Sequence, residues 1–294
     1  MTKHLTRSIA ILAVGAVIAK PGYGQDRLHR TVVHNMSELT QFFHYEDDKP
    51  VIVSGHRGGL LPGYPENSIE AMEKTLTLMP SFFEIDPRFT KDSVIVLMHD
   101  DNLARVSNMT GKVSEHTYAE IKNARLKDRQ GNLTNYHIPT LKEALDWGKD
   151  KTIFNLDNKN IPWSMYVDMF KGNDYPNLIL SVRSMKEALY YYERLDNVLL
   201  CIAIKNKEDL EAFKATKIPY NRMVAYVGDS VSNDMKDICQ FLRHKGVMCF
   251  YSFPPTFDKL KTDKEHINAY IKQLVQKPDI IETDYPALFS GVTL

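Results

Sequence analysis

One stretch of sequence decides the fold: Val51-Ile-Val-Ser-Gly-His-Arg-Gly-Gly59, an apolar β-type run that ends in a histidine, an arginine and two glycines. Two later runs end in a similar way, Phe83-Glu-Ile-Asp86 and Val96-Leu-Met-His-Asp100. Barrels and open α/β sheets present their reactive groups at the carboxyl ends of strands. The three runs therefore predict one site with two histidines, an arginine and two carboxylates. That combination suits a metal-assisted reaction on a phosphate ester.

The rest of the chain alternates between strand-type and helix-type patterns. Thr117, Thr140 and Ser184 each precede a glutamate by three residues, which is a capping signature of helix starts. Strand–helix alternation predicts a parallel sheet buried by helices. The apolar β-rich runs are 51–54, 82–88, 94–98, 152–157, 177–182, 198–204, 222–228, 248–253 and 279–284.

Two of these nine runs are too close together to be parallel neighbours. Only Thr90-Lys-Asp-Ser93 separates them, whereas a parallel crossover needs a dozen or more residues. We therefore expect a β-hairpin, which leaves eight strands for a (β/α)8 barrel. With Lys91 and Asp92 as a two-residue loop, Glu84 is predicted to lie directly opposite His99. A slip of one residue would break this pairing, because neighbouring side chains point to opposite faces.

Composition and charge limit the classes of function. The 294 residues contain 37 lysines plus arginines and 37 aspartates plus glutamates, so no net field favours nucleic acid or an acidic membrane. An α/β barrel needs about 250 residues, and no low-complexity linker marks a second domain. We expect a single domain over residues 25–294 that acts on a small molecule rather than on nucleic acid.

The amino terminus has the pattern of an export signal over residues 1–24. Basic residues precede an apolar run over 9–19, which is too short for a membrane span of about 20 residues. Gly22 and Gly24 favour cleavage before Gln25, with Ala19 as another candidate. No cysteine lies nearby, so no lipid anchor is expected. The alternative is a first helix of the fold. We predict an exported chain, periplasmic or secreted, without a stable membrane anchor.

Three cysteines occur, at Cys201, Cys239 and Cys249. Their number is odd and their spacing matches no metal-binding knuckle. Cys201 and Cys249 lie in apolar strand-type runs, which favours buried free thiols. A disulfide stays open as the alternative.

Three carboxylates are candidate metal ligands. Glu84 and Asp86 are two residues apart on a strand, so both point to one face, and buried together they would repel each other. Carboxylate oxygens are ligands that Mg²⁺ or Ca²⁺ prefers. Asp157 ends another apolar run and is the third candidate. The alternatives are a solvent-facing pair on an edge strand and an ordinary acid at a strand end.

Two histidines and two basic residues complete the predicted chemistry. His56 and His99 both follow strand ends, and an imidazole can give and take protons near neutral pH. The other eight histidines are interpreted as surface residues. Arg57 and Lys159 supply positive charge of the kind that stabilises a phosphodiester transition state. The alternative for Arg57 is a salt bridge to Glu66 or Asp86.

These motifs, in this order, resemble the glycerophosphodiester phosphodiesterase family over about residues 50 to 290. The resemblance implies a distorted TIM barrel with a small insertion after the second histidine, at about 101–139. It also implies hydrolysis of glycerophosphodiesters to an alcohol and sn-glycerol 3-phosphate with Mg²⁺ or Ca²⁺. Carried over by motif, His56 and His99 would be the acid/base pair, Glu84, Asp86 and Asp157 the metal ligands, and Arg57 and Lys159 the phosphate-binding residues. The motifs are His56-Arg57-Gly58, Pro65–Ser68, Glu84-Ile85-Asp86, Thr90-Lys91-Asp92, His99-Asp100, Asn102–Arg105 with Gly111, Pro139–Leu145, Asn155–Lys159 and Ile281–Pro286.

Two departures from the family pattern affect these expectations. The family usually has glutamate where Asp157 stands, and the shorter aspartate predicts a ligand that reaches the ion through water or an ion that is shifted. The family also often has a tryptophan-containing run where this chain has Phe250-Tyr-Ser-Phe253. We expect that wall to shape the alcohol pocket, with the headgroup preference left open.

Other functions are compatible with the same residues. A lysophospholipase D or a phospholipase C-like lyase would also use two histidines and a cation. A non-catalytic exported protein that binds phosphate esters is the alternative from another class. Two titratable proton carriers at His56 and His99 disfavour a pure binding protein, because binding needs only charge and shape.

Overall fold

The computed structural model describes residues 28–172 and 175–291 and contains twelve strands there. In chain order they are β1 (Ile52–His56), β2 (Phe82–Ile85), β3 (Pro87–Phe89), β4 (Ile95–Leu97), β5 (Arg125–Lys127), β6 (Leu133–His137), β7 (Phe154–Asp157), β8 (Leu178–Val182), β9 (Leu199–Ala203), β10 (Met223–Gly228), β11 (Cys249–Ser252) and β12 (Ile280–Thr283). Eight of them close into a barrel of parallel strands, in the order β1-β12-β11-β10-β9-β8-β7-β2. The predicted α/β barrel is confirmed.

Helices cover the outside of the barrel and begin where the capping residues predict. The Thr140 hydroxyl accepts the amide N–H of Glu143, and Ser184 accepts that of Glu187. At Thr117 the Glu120 carboxylate accepts the backbone N–H, at 2.7 Å. The helices in the described residues are α1 (Met36–Phe42), α2 (Ile69–Leu78), α3 (Tyr118–Ile121), α4 (Leu141–Gly148), α5 (Trp163–Phe170), α6 (Met185–Tyr192), α7 (Lys207–Lys214), α8 (Lys236–His244) and α9 (Asp263–Leu274).

The barrel interior is apolar at the amino ends of its strands and polar at the carboxyl ends. Phe82, Ile153 and Ile280 belong to an inner cluster, which Leu39 of α1 and Phe43 just after it close from below. Because side chains alternate along a strand, every second residue returns to the same face. On four adjacent strands, the inward-facing residues are therefore apolar at the amino end, polar in the middle and ionisable at the carboxyl end. The four sets are Ile52-Ser54-His56, Phe82-Glu84-Asp86, Ile153-Asn155-Asp157 and Ile280-Glu282-Asp284.

The hairpin exists, but its predicted register is wrong by one residue. β3 pairs antiparallel with β4 in the register Pro87↔Leu97 and Phe89↔Ile95. The loop has three residues rather than two, because Ser93 adopts a positive φ of 63° and adds one residue to the turn. The hairpin also starts only after β2 has left the barrel. Glu84 is consequently not the partner of His99; in the barrel register it lies level with His56.

The segment after the hairpin folds on the side of the barrel mouth. Residues 101–139 contain α3, the short antiparallel pair β5–β6 and a 3-10 helix at Val113–Glu115. They have an apolar cluster of their own that includes Leu103, Val113 and Ile121. This insertion therefore brings further side chains to the carboxyl ends of the strands.

Several other sequence predictions can be placed. The predicted export signal over 1–24 lies outside the described residues and stays a prediction. Among the described residues, no helix is both long enough and apolar enough to cross a membrane. Cys201, Cys239 and Cys249 are buried and form no disulfide, as the apolar context of Cys201 and Cys249 predicts.

Candidate active site

His56 stands at the end of β1, and its imidazole is held on two sides by carboxylates. Its Nδ1 lies 2.6 Å from Asp284 Oδ1, while Nε2 lies 3.8 Å from Glu84 Oε2. Burial alone would lower the pKa of His56. The hydrogen bond to Asp284 and the charges of Glu84 and Glu282 outweigh it and raise that pKa to about 10. The side chain is therefore a fixed proton carrier: Asp284 holds Nδ1, and Glu84 lies beyond hydrogen-bond distance of Nε2.

His99 follows the hairpin and repeats this pairing with a different partner. Its Nδ1 lies 2.8 Å from Asp100 Oδ1. Arg105 donates to Asp100 from Nε at 2.5 Å and to Glu66 from Nη1 at 2.8 Å. These bonds to Arg105 and His99 hold the pKa of Asp100 well below its usual range. In both histidines Nδ1 is taken by an aspartate, which leaves Nε2 for a substrate.

The turn after β1 places Arg57 between the carboxylates. Arg57 has a φ of 55°, and its amide N–H donates to Glu84 Oε2 at 3.1 Å. Its guanidinium Nη1 donates to Glu66 at 3.1 Å, and Nε lies 3.6 Å from Asp86 Oδ2. Gly59 must lack a side chain, because a Cβ there would meet Pro286 at 2.7 Å. The salt bridges considered from the sequence are both present, and they aim the guanidinium at the mouth of the barrel.

Glu84, Asp86 and Asp157 form a carboxylate cluster. One oxygen of each lies within 4.8 Å of the others. Asn67, which has a positive φ, holds Asp86 by two bonds from its side chain. Asn67 Nδ2 donates to Asp86 Oδ2 at 2.6 Å, and Asn67 Oδ1 accepts the backbone N–H of Asp86 at 3.0 Å. The cluster matches the three residues predicted as metal ligands.

Lys159 bridges two members of the cluster. Its Nζ lies 2.8 Å from Asp86 Oδ1 and 2.5 Å from Asp157 Oδ2. Arg183, which was not predicted, adds a second cation at 3.3 Å from Asp157 Oδ1. Asp157, like Asp86, thus has two basic side chains as partners: Lys159 and Arg183 for Asp157, Lys159 and Arg57 for Asp86.

The two buried carboxylates have opposite electrostatic surroundings. Burial raises the pKa of Asp86, but the charges of Lys159, Arg57 and His99 prevail and lower it to about 2. Burial and then the neighbouring Asp86 raise the pKa of Glu84 well above its usual value. Among the ion pairs of the described residues, Glu84 has neither a lysine nor an arginine partner. A divalent cation would supply the missing charge, and hard carboxylate oxygens fit Mg²⁺ or Ca²⁺.

Sequence reasoning missed the residues that orient the predicted ones. Asp284, Asp100 and Arg105 hold the two histidines, and Glu66 joins Arg105 to Arg57. One signal could have found Asp284. It occupies the same position, four residues after an inward-facing apolar residue, as His56, Asp86 and Asp157. Asp100 and Arg105 carry no such periodic signal, because they lie in loops.

A cavity of about 420 Å³ opens beside His56 and Arg57, between the ends of β1, β11 and β12. The run Phe250–Phe253 was expected to shape such a pocket, but only Ser252 of that run lines it. Phe250 points into the barrel core, whereas Tyr251 and Phe253 pack in the outer layer. The aromatic side chains of this run therefore do not line this cavity.

Known proteins resemble this chain in both sequence and structure. The sequence model of the glycerophosphoryl diester phosphodiesterase family matches residues 56–249, which include both histidines and the whole carboxylate cluster. The chain belongs to this family. The family resemblance predicted from the motifs is thereby confirmed.

Solved structures of the family agree with the barrel. A glycerophosphoryl diester phosphodiesterase from Parabacteroides distasonis ATCC 8503 is 40% identical, with a TM-score of 0.88 over 91% of this chain and 96% of its own. An Oleispira antarctica phosphodiesterase, solved with the product sn-glycerol-3-phosphate, is 18% identical, with a TM-score of 0.60 over 81% of this chain and 94% of its own. The second likeness shows the fold alone.

Curated relatives match this family member over shorter segments. The glycerophosphodiester phosphodiesterase of Bacillus altitudinis is 30% identical over 154 residues, which are 50% of this chain and 56% of that protein. The one of Bacillus subtilis (strain 168) is 33% identical over 106 residues, which are 33% of this chain and 36% of that protein. The chain thus spans about half or less of the length of these two curated relatives.

Proposed function

We propose that the chain hydrolyses glycerophosphodiesters to an alcohol and sn-glycerol 3-phosphate, with a divalent cation and two histidines as the acid/base pair. One observation carries this proposal. Two histidine–aspartate pairs, His56 with Asp284 and His99 with Asp100, flank a cluster of three carboxylates whose negative charge is only partly neutralised by basic side chains. Family membership supports the same substrate class.

Glu84, Asp86 and Asp157 would hold the cation, Mg²⁺ or Ca²⁺. When bound, such an ion withdraws charge from a phosphoryl oxygen and stabilises the transition state. The fit rests on the uncompensated charge of Glu84 and on the all-oxygen donor set. Lys159 neutralises part of the charge of Asp86 and Asp157, which holds its ammonium group beside the cluster where the phosphate would bind.

The protein's own residues supply binding and proton transfer. Arg57 and Lys159 bind the phosphate oxygens by charge-assisted hydrogen bonds. One imidazole takes a proton from the attacking water as the new P–O bond forms. The other imidazole donates a proton to the oxygen of the departing alcohol as the old P–O bond breaks. The aspartate on each Nδ1 orients the ring and stabilises it when protonated, so that Nε2 carries the transferred proton.

The test is product analysis with and without chelation. Purified protein is incubated with glycerophosphocholine, glycerophosphoethanolamine, glycerophosphoinositol or lysophosphatidylcholine, and products are identified by ³¹P NMR. We expect sn-glycerol 3-phosphate from the first three, no turnover in excess EDTA, and recovery with Mg²⁺ or Ca²⁺. Circular dichroism should stay unchanged on chelation, because the barrel core is apolar and independent of the ion.

The alternatives give different results in the same experiment. A cyclic phosphate would indicate a lyase, and release of choline from the lysolipid alone would indicate a lysophospholipase D. Binding of the diesters without turnover would indicate a phosphate-ester receptor. Full turnover after dialysis into EDTA would contradict the metal assignment.

A further inference from the structure

The cavity beside His56 contains charged groups that the proposed mechanism does not use. Leu60, Pro254 and Pro255 supply apolar walls, and Arg129 and Lys259 stand among them. None of the three carboxylates of the cluster lines this cavity. The cavity therefore borders His56 and Arg57 without including the cluster.

The two acidic residues of the cavity are already engaged. Asp284 Oδ1 is bonded to His56. Asp258 accepts hydrogen bonds from the Tyr270 hydroxyl, from Thr283 Oγ1 at 3.0 Å and from the Asp284 amide N–H at 2.6 Å. Asp258 is buried, so neither of its oxygens is presented to a ligand.

The basic residues are less completely paired. Arg129 donates to the Tyr285 hydroxyl and lies 5.1 Å from the centre of its ring, but its Nη1 is 3.6 Å from Asp284 Oδ2, beyond hydrogen-bond distance. Lys259 is exposed and makes no ion pair within the part of the chain that the structure describes. The cavity thus presents positive charge to whatever enters it.

The fold holds Arg129 in place from outside the barrel. Arg129 lies in the β5–β6 turn of the insertion, where Asp128 accepts the N–H of Asn132 at 2.8 Å and the Asp128 carbonyl accepts the N–H of Gly131 at 2.9 Å. The insertion therefore delivers one side chain across the barrel mouth to Tyr285 and Asp284, which immediately follow β12.

We propose that this cavity receives the alcohol part of the diester and that Arg129 and Lys259 select alcohols by charge. The preference is for anionic or uncharged polyol alcohols over those that carry a quaternary ammonium group. This proposal rests on the proposed function. The hydroxyl groups of the glycerol part are hard oxygen donors, which suit a divalent cation held by the carboxylate cluster. The other alcohol of the diester would then occupy the cavity.

The experiment compares kcat/KM for three diesters: glycerophosphocholine, glycerophosphoglycerol and glycerophosphoinositol 4-phosphate. We expect the wild type to cleave the anionic and neutral substrates more efficiently than the choline ester. Arg129→Gln should raise the choline/glycerol ratio about fivefold, as expected for one partly screened charge, and Arg129→Glu should raise it further. Lys259→Gln should act in the same direction. Arg129→Lys should keep the wild-type ratio.

A matched control is Lys122→Gln, which removes an exposed lysine of the insertion that does not line the cavity. A ratio of kcat/KM values for two diesters is unaffected by any loss of activity that is the same for both. A change in how Asp284 holds His56 would be such a loss. Unchanged ratios in both Arg129→Gln and Lys259→Gln would overturn the inference while the proposed function stands. If the wild type cleaves none of the three diesters, the proposed function fails and the charge selection fails with it.

Discussion

His56 and His99 each pair with an aspartate, but the two pairs differ in burial and in the structural elements that hold them. Each Nδ1 contacts an aspartate oxygen, at 2.6 Å for Asp284 and 2.8 Å for Asp100. The side chain of His56 is 17% exposed and that of Asp284 14%, against 35% for His99 and 30% for Asp100. The pair at His56 is built on two adjacent barrel strands, whereas the pair at His99 lies in the loop after the hairpin.

The same contrast divides the carboxylate cluster. Glu84 and Asp86 are buried, whereas the side chain of Asp157 is 31% exposed and shares Lys159 and Arg183 as partners. We call His56, Asp284, Glu84 and Asp86 the inner side of the site, and His99, Asp100 and Asp157 the outer side. The inner residues are buried or nearly so, whereas the outer ones are partly exposed and pair with Arg105 and Arg183, which are themselves exposed. Substitutions should therefore be more costly on the inner side.

The largest expected effect tests whether the two sides act as one unit. His56→Ala and His99→Ala should each lower kcat by about 100-fold or more, because each removes a proton carrier. The double variant should be little worse than the poorer single, since residues that act together are non-additive. Steady-state kinetics on a glycerophosphodiester measures this, and diester binding should persist through Arg57, Lys159 and the cation.

Exposed His34 provides the control for the histidine variants, and His34→Ala should leave kcat unchanged. A p-nitrophenyl ester has a leaving group that needs no proton, so it should rescue the variant that lacks the acid and leave the other one slow. If neither variant loses turnover, or if both lose binding instead, the acid/base pair is wrong.

The partner aspartates test the contrast directly. Asp284→Asn should lower kcat by about 10- to 100-fold, because an amide favours the wrong tautomer of a buried imidazole. Asp100→Asn should cost several-fold less, because the more exposed His99 can bond to water. The control Asp146→Asn removes an exposed ion pair with Lys142 far from the site. Equal losses at Asp284 and Asp100 would show that burial does not distinguish the two histidines.

Asp157 tests the outer side of the metal cluster. If it binds the ion directly, Asp157→Asn should weaken the apparent metal affinity by about tenfold, and Asp157→Glu should be tolerated or improve it. Glu84→Gln should be more damaging, because within the described residues Glu84 has no lysine or arginine as an ion-pair partner. Titration of activity with Mg²⁺ and with Ca²⁺ measures these affinities. An unchanged titration for Asp157→Asn would remove it from the set of direct ligands.

The last prediction concerns the stability of the metal-free protein. The pKa of His56 is about 10 in the fold and about 6.5 when unfolded, so between these values the folded state binds one more proton. The free energy of unfolding should therefore fall as pH rises from about 7 to about 10, by up to about 1.4 kcal/mol per pH unit for this one proton. His56→Gln should flatten that slope, as urea denaturation at several pH values would show. His34→Gln should not, and parallel curves for His56→Gln and wild type would contradict the shift.

Much of this fold could be predicted because its pattern is local. Eight of the nine apolar runs are barrel strands, and the ninth, 94–98, is an arm of the hairpin. The capping glutamates near Thr117, Thr140 and Ser184 mark helix starts by bonds that span only three residues. The register of the hairpin was mispredicted because one residue with positive φ, Ser93, lengthens the turn, and a turn's length depends on a small free-energy difference between loop conformations.

In the candidate site, too, residues with a local sequence pattern were predicted, whereas those held by long-range contacts were not. The residues that the sequence predicted share a strand-end position, and the structure brings Glu84, Asp86 and Asp157 within 4.8 Å of one another. Asp284 and Arg105 were given no role, although their motifs were part of the resemblance, and Glu66 was considered only as a salt-bridge partner of Arg57. Their contacts join residues far apart in sequence, such as Arg105 to Glu66 and Arg129 to Tyr285.

The sequence by itself determined the alternating strands and helices, the polar carboxyl ends of the strands and the residue types that can do the chemistry. These follow from side-chain period and composition, which each segment carries alone. Only the tertiary structure decided that Glu84 lies level with His56 rather than His99, which aspartate holds each imidazole, and which cations face the cavity. Those outcomes depend on how the barrel closes and on where the insertion runs. Local sequence does not distinguish the possible arrangements, and the burial and pairing of charges far apart in sequence decide which one is stable.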